Sequence, residues 1–234
     1  MQRNICRALI CISTALMFPT LLTSFCAPET ILRAQYKYFG MAQEIPEPIA
    51  ALMKGRSYKE ECPVALQDLR YISVSHWDYD GHIRVGHMVV HAKLANELIE
   101  IFEELFYNKF PIERMELVDF YNADDDRSMA ANNSSCFCFR PNTTTPGIYS
   151  NHSYGIAIDI NPLVNPYVKG ERVLPEGGRA YLDRSLAYTG GITDSSDNVC
   201  YRAFTSRGYE WGGSWLDRQD YQHFSKQMSD VIDK

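Results

Sequence analysis

Residues 150–160 read Ser150-Asn151-His152-Ser153-Tyr154-Gly155-Ile156-Ala157-Ile158-Asp159-Ile160. From Tyr154 onward the side chains alternate: Ile156, Ile158 and Ile160 face one way, Ala157 and Asp159 the other. That pattern predicts a half-buried strand. Asp159 is its anomaly, because a charged carboxylate in an apolar strand needs a partner. His152 stands seven residues earlier on the loop that enters the strand, and Gly155 permits a sharp entry. Both residue types are good zinc ligands. Taken alone, the pair reads as a plain His–Asp hydrogen bond.

The C-terminal stretch Asp220-Tyr221-Gln222-His223-Phe224 adds to that pair. Asp220 and His223 are three apart, so a helical turn would set them on one side. His223 can supply a third ligand and Asp220 a carboxylate beside the metal. Two histidines and one carboxylate with an open fourth position is the composition of a hydrolytic zinc site. A further carboxylate that is not a ligand is what such a site needs as general base.

Outward from this stretch, Leu66–Val74 reads as a strand and Ser75–His82 as a turn-rich connection. Val85–Asn108 reads as a helix, with Leu94, Leu98, Phe102 and Leu105 forming an apolar stripe ended by Phe110-Pro111. Arg114–Phe120 reads as a second strand. Asn122–Ser150 and Asn165–Ser196 are long polar or Pro/Gly-rich loops, too long for idle connectors. Asn198–Arg207 reads as a short helix closed by Gly208. These elements predict a single compact α+β domain, not a doubly wound sheet.

The composition agrees. The chain has 234 residues, 45% apolar and 22% charged, an ordinary globular balance with room for one well-buried core. A net charge of −6 and the lack of a basic tract argue against nucleic acid as a partner. Met1–Arg7 carries Arg3 and Arg7 and no acid, and Ala8–Phe25 is uncharged. A basic start before an apolar run is the pattern of an export signal. Residues 1–26 are therefore read as a signal cleaved after Cys26, with an uncleaved anchor and a lipoprotein acylated on Cys26 as alternatives. Residues 27–61 read as a lead-in, extended and partly surface-laid, and residues 62–234 as the domain that carries the His152, Asp159, Asp220 and His223 cluster.

Three of the seven cysteines fall in the leader. The even remainder, Cys62, Cys136, Cys138 and Cys200, suggests disulfides in an exported chain. Cys136 and Cys138 are too close to pair without strain, so each would reach Cys62 or Cys200. Both connectivities stay open, as does a set of four reduced thiols.

The residues Ser150-x-His152-x-x-Gly155-x-Ala157-x-Asp159, then Gly212-Gly213-x-Trp215 and Asp220-x-x-His223, resemble the D-alanyl-D-alanine carboxypeptidase family of zinc peptidases. This family includes VanY-like carboxypeptidases and L-alanyl-D-glutamate endopeptidases. The likeness is strong from Ser128 to Phe224 and looser from Cys62 to Asp126. It implies a Hedgehog/DD-peptidase-like fold: a small antiparallel sheet, flanking helices and long loops. It implies Zn2+ held by His152, Asp159 and His223, with Asp220 as catalytic base. Arg140 is the matching candidate for a substrate-binding arginine that holds a peptide carboxylate or the oxyanion. Ser128, Asn133 and Ser150 are candidates for the cleft wall.

The implied substrates are peptidoglycan stem peptides, cut by a D-alanyl-D-alanine carboxypeptidase. An L-alanyl-D-glutamate endopeptidase, a non-catalytic wall-binding module of the same fold and a small structural exported domain are the alternatives. The implied location is periplasmic or extracellular, with membrane contact only through an uncleaved N-terminal segment. The oligomeric state is open. Other candidates fit less well. His87 and His91 are four apart, but Met88 stands where a zincin motif requires Glu. His76 and His82 flank a turn. Asp124-Asp125-Asp126 reads as a solvated run, and Trp211 and Trp215 as core or cleft wall. Ser150 lacks the glycine elbow of a serine hydrolase.

Overall fold

A computed structural model describes residues 28–140 and 148–231. The expected leader and the choice among its three readings lie outside the described residues. In chain order the elements are α1 (Pro28–Gln35), β1 (Gly40–Gln43), α2 (Glu47–Met53), β2 (Leu69–Trp77), β3 (Ile83–His91) and α3 (Ala95–Tyr107). There follow α4 (Asp125–Ala130), β4 (Ala157–Asp159), β5 (Tyr167–Lys169), β6 (Arg172–Leu174) and α5 (Val199–Thr205). The chain closes with β7 (Glu210–Trp211), β8 (Gln219–Asp220), β9 (His223–Ser225) and α6 (Met228–Val231). The strands form three small antiparallel sheets, ordered β1-β2-β3, β4-β9-β7 and β6-β5-β8. The expected α+β class holds.

The first sheet is built on the β2–β3 hairpin, in register from Leu69 opposite His91 to Trp77 opposite Ile83. Its turn is held by Asp78, whose Oδ1 accepts from the backbone N–H of Asp80 and His82 at 3.0 and 2.8 Å. Gly81 supplies the positive φ of +77°. The helix expected from Val85 starts ten residues later, at Ala95. Val85–His91 is strand instead, because β-branched Val85, Val89 and Val90 suit an extended backbone and β2 offers the ladder. The stripe itself is sound: Leu94, Leu98, Phe102 and Leu105 are buried against Ile72, Val74, Met88 and Val90. His87 thus sits on a strand, stacked on Tyr71 and 2.9 Å from the Ser73 hydroxyl. The Nδ1 of His91 accepts from the Lys93 N–H.

Two further readings change. The lead-in is not all extended, since it carries α1, α2 and β1, and β1 joins the sheet with Gly40 opposite Val74. Arg114–Phe120 is not a strand: it makes one bridge, Arg114 to Asn133, before a 3-10 turn at Val118–Tyr121. The long loop after it contains α4, whose N-terminus is capped by Asp124 accepting from the Arg127 N–H at 3.1 Å.

β4 is buried on both faces rather than half-buried, with Ile156, Ile158 and Ile160 in the main core and Ala157 and Asp159 also enclosed. One edge pairs with β9 and the other makes a bridge to Ser135. Phe224 of β9 stacks on Phe204 of α5 at 4.3 Å. α5 is capped by Asn198 and closed by Gly208 at φ +79°, as its sequence predicts. In the third sheet Tyr167 stands opposite Leu174 on one side and Asp220 on the other.

The loop after β4 is pinned by Asn165, fully buried. Its Nδ2 donates to the carbonyls of Ile160, Asn161 and Gly190, and its Oδ1 accepts from the Ile192 N–H and Arg184 Nη2. The expected disulfides are not formed: Cys62, Cys136, Cys138 and Cys200 are free thiols. Cys136 and Cys200 are packed in the main core, whereas Cys62 lies against a second cluster around Met53 and Phe137. The Cys138 thiol reaches the Ala123 carbonyl.

Candidate metal centre

Three backbone features bring the site together. Ser150 caps a 3-10 turn over Asn151–Tyr154, its hydroxyl accepting from the His152 N–H, and Gly155 at φ +68° turns the chain into β4. β4 presents Asp159 directly opposite His223 of β9. Asp220 ends β8, and Tyr221 and Gln222 make the turn between the two strands. The expected helical turn at Asp220–His223 is therefore a strand–turn–strand, and it still sets the two residues against one cavity.

His152, Asp159 and His223 are all buried, and their ligand atoms lie within 4.8 Å of one another. His152 Nε2 is 3.1 Å from Asp159 Oδ2, and His223 Nδ1 is 3.1 Å from Asp159 Oδ1. The two ring nitrogens are 3.3 Å apart. His152 Nδ1 donates to the Cys136 carbonyl at 2.6 Å, which orients the ring with Nε2 aimed inward. His152 Nε2, His223 Nδ1 and both carboxylate oxygens of Asp159 then converge on one point. That donor set fits a divalent cation of the zinc type, for which nitrogen and carboxylate oxygen are ordinary ligands.

The charges respond to this crowding. Burial alone would raise the Asp159 carboxyl, but His152 and His223 outweigh it and hold it well below the usual carboxylate range. Burial would lower His223, yet its hydrogen bond to Asp159 and the nearby Asp220 charge raise it. Asp220 is pushed up to about 7, first by burial and then by Asp159 and Asp125, with His223 opposing. Its Oδ1 is buried and has no hydrogen-bond partner among the described residues. Gly212 makes room for it: a Cβ there would stand 2.8 Å from the Asp220 carbonyl oxygen and 3.2 Å from the His223 Cβ.

A cavity of about 220 Å³ opens beside the triad. It is lined by Arg140, Ser150 and Asp220 as the sequence predicts. Arg140 makes an ion pair with Asp125 at 3.0 Å. Asp125, read from sequence as part of a solvated run, is thus drawn into the site by the start of α4. Ser128 and Asn133 are not brought to the cavity. Asn133 Nδ2 donates to the Ser128 hydroxyl at 3.0 Å, and the Asn133 amide also clasps the backbone of Glu116. They brace α4 instead. Tyr167, Leu174, Trp215, Arg218 and Gln222 also line the cavity. Of these, sequence reading singled out Trp215 alone, since the others are recruited by strand pairings and a turn that no local pattern announces.

Comparison with curated proteins and with solved structures found no match. Residues 143–226, the stretch that carries His152, Asp159, Asp220 and His223, match the family model described as D-alanyl-D-alanine carboxypeptidase, the family of zinc peptidases that the motifs resemble.

Proposed function

We propose that this chain is a zinc-dependent peptidase that hydrolyses peptidoglycan stem peptides as a D-alanyl-D-alanine carboxypeptidase. The observation that carries the reading is the convergence of His152, Asp159 and His223 beside a partnerless carboxylate oxygen of Asp220. The family match over the same residues supports the reaction class. His152, Asp159 and His223 would hold a zinc ion, which when bound would supply Lewis-acid chemistry for the scissile carbonyl and for the attacking water.

The rest falls to side chains. Asp220 takes a proton from the attacking water and returns it to the leaving amine, a general base placed by the turn before β9. Burial raises the Asp220 pKa, so its carboxyl would be ionised more readily with a cation held beside it. Arg140, held by Asp125, donates to the carbonyl oxygen as negative charge builds there. The chain is proposed to act outside the cytoplasm, with the N-terminal segment directing export.

The test is zinc stoichiometry for wild type and His152→Ala, paired with amine release from pentapeptide and tetrapeptide stems. One zinc per chain, lost in the variant, with D-alanine released from the pentapeptide, is expected. Wild type without zinc or without release from either stem overturns the reading. A cut confined to the L-alanyl-D-glutamate bond would move it to endopeptidase.

A further inference from the structure

The cavity beside the triad has two arginines among its lining residues, Arg140 and Arg218, and they differ in what holds them. Arg140 faces Asp125 within the cavity. Arg218 spends one nitrogen, Nη1, on its exposed chain neighbour Asp217, at 2.7 and 2.9 Å. Its Nε and Nη2 make no hydrogen bond among the described residues. An ion pair with an exposed carboxylate is weak and readily exchanged. The guanidinium is nonetheless held in place, because it lies 4.3 Å over the ring of Trp215. Trp215 in turn packs against His223 at 5.3 Å. Trp215 therefore touches both the Arg218 guanidinium and one member of the triad.

We infer that Arg218 is a specificity-determining residue that binds the free carboxylate of the peptide residue on the leaving side of the scissile bond. Three carboxylates, Asp125, Asp159 and Asp220, line this cavity, so a fourth from the substrate is favoured against a cation with donors to spare. Arg218 presents two unused nitrogens, Nε and Nη2, in the planar fork that suits a carboxylate. One residue spans roughly 3.3–3.6 Å of chain, so a carboxylate one residue beyond the cut falls about a ring's width from the ligands. The cavity volume, about 220 Å³, is below the roughly 300 Å³ of sites that enclose larger ligands. It suits the end of a chain rather than its middle. Gln222 adds on the same lining a buried terminal oxygen that has no partner among the described residues, an acceptor for the N–H of that end residue.

This assignment rests on the peptidase reading for its substrate, and the experiment separates the two. An acyl peptide ending in D-Ala-D-Ala and its C-terminal amide are titrated by calorimetry into chelator-treated protein, which does not turn them over. The acid should bind about 10- to 100-fold more tightly than the amide. Arg218→Gln should erase that gap, Arg218→Lys should keep part of it, and Asp217→Asn, which frees the guanidinium, should widen it. Equal binding of acid and amide by wild type, a gap that survives in Arg218→Gln, or no binding of the acid at millimolar concentration overturns the assignment. Hydrolysis by the zinc-loaded protein is followed in parallel. Arg218-dependent binding without hydrolysis of either peptide removes the peptidase reading and leaves the carboxylate site, whereas equal cutting of acid and amide does the reverse.

Discussion

Asp159 and His223 are register partners across β4 and β9, and their side chains meet at 3.1 Å although 64 residues separate them in sequence. Two carboxylate oxygens of one strand residue thus touch two histidines, one from the preceding turn and one from the opposite strand. Replacing Asp159 or His223 with Ala should abolish zinc binding, and metal analysis of the purified variants checks this. Full retention of zinc by either variant would refute the ligand set.

Asp220→Asn separates binding from chemistry. It keeps the shape of the side chain and removes its ability to take a proton. Zinc content should remain at the wild-type level while turnover falls by about 10²–10⁴-fold. Steady-state kinetics on a pentapeptide stem reads the effect, and unchanged turnover removes Asp220 as base.

Gly212→Ala tests the backbone beneath Asp220. The added methyl would meet Asp220 backbone and Cβ atoms at 2.8 and 2.9 Å, too close for either to stay in place. Turnover should fall by at least about tenfold, since small displacements of a catalytic group are costly. Most of the loss should appear in kcat, with metal binding largely kept.

Asn165→Ala addresses the loop that carries Tyr167. The substitution strips five hydrogen bonds from a fully buried amide and leaves backbone groups without partners. Urea denaturation should show a loss of about 2–4 kcal/mol, counting the exposed penalties of buried polar groups. A loss below about 0.5 kcal/mol, the range of neutral surface changes, would refute this role.

Stability should also depend on pH through His76. Burial lowers its pKa, against opposing hydrogen bonds that include Nδ1 to the Ile112 carbonyl at 2.9 Å. A lowered folded-state pKa means that the unfolded chain binds the proton more readily. The contribution to stability is therefore present above about pH 6.5 and lost as pH falls toward the folded-state value. The slope for one proton is at most about 1.4 kcal/mol per pH unit. His76→Gln should flatten the decline between pH 6.5 and 5, as followed by urea midpoints.

The site was far more legible in the sequence than the fold around it. His152, Asp159, Asp220 and His223 carry a chemical oddity that survives any local conformation: a carboxylate in an apolar strand, and an Asp–His pair near the end. The helix stripe from Leu94 to Leu105 was equally plain, because periodicity of that length has few alternatives. Its start was not, since Val85–His91 is apolar in both helical and extended registers and only β2 decides between them. Ser128 and Asn133 are cleft candidates on the family resemblance alone. Their actual partners, each other and Glu116, are set by tertiary packing. The cysteine count suggested pairing, but parity says nothing about which core each thiol enters.

The β5–β6 hairpin has a further consequence. Tyr167 and Leu174 form one rung of it, and both side chains reach the cavity wall while no metal-ligand candidate lies on either strand. Over evolutionary time that rung is a dial that can turn alone. A bulkier or smaller pair there would reshape what the pocket admits, and the machinery across the gap would be inherited intact.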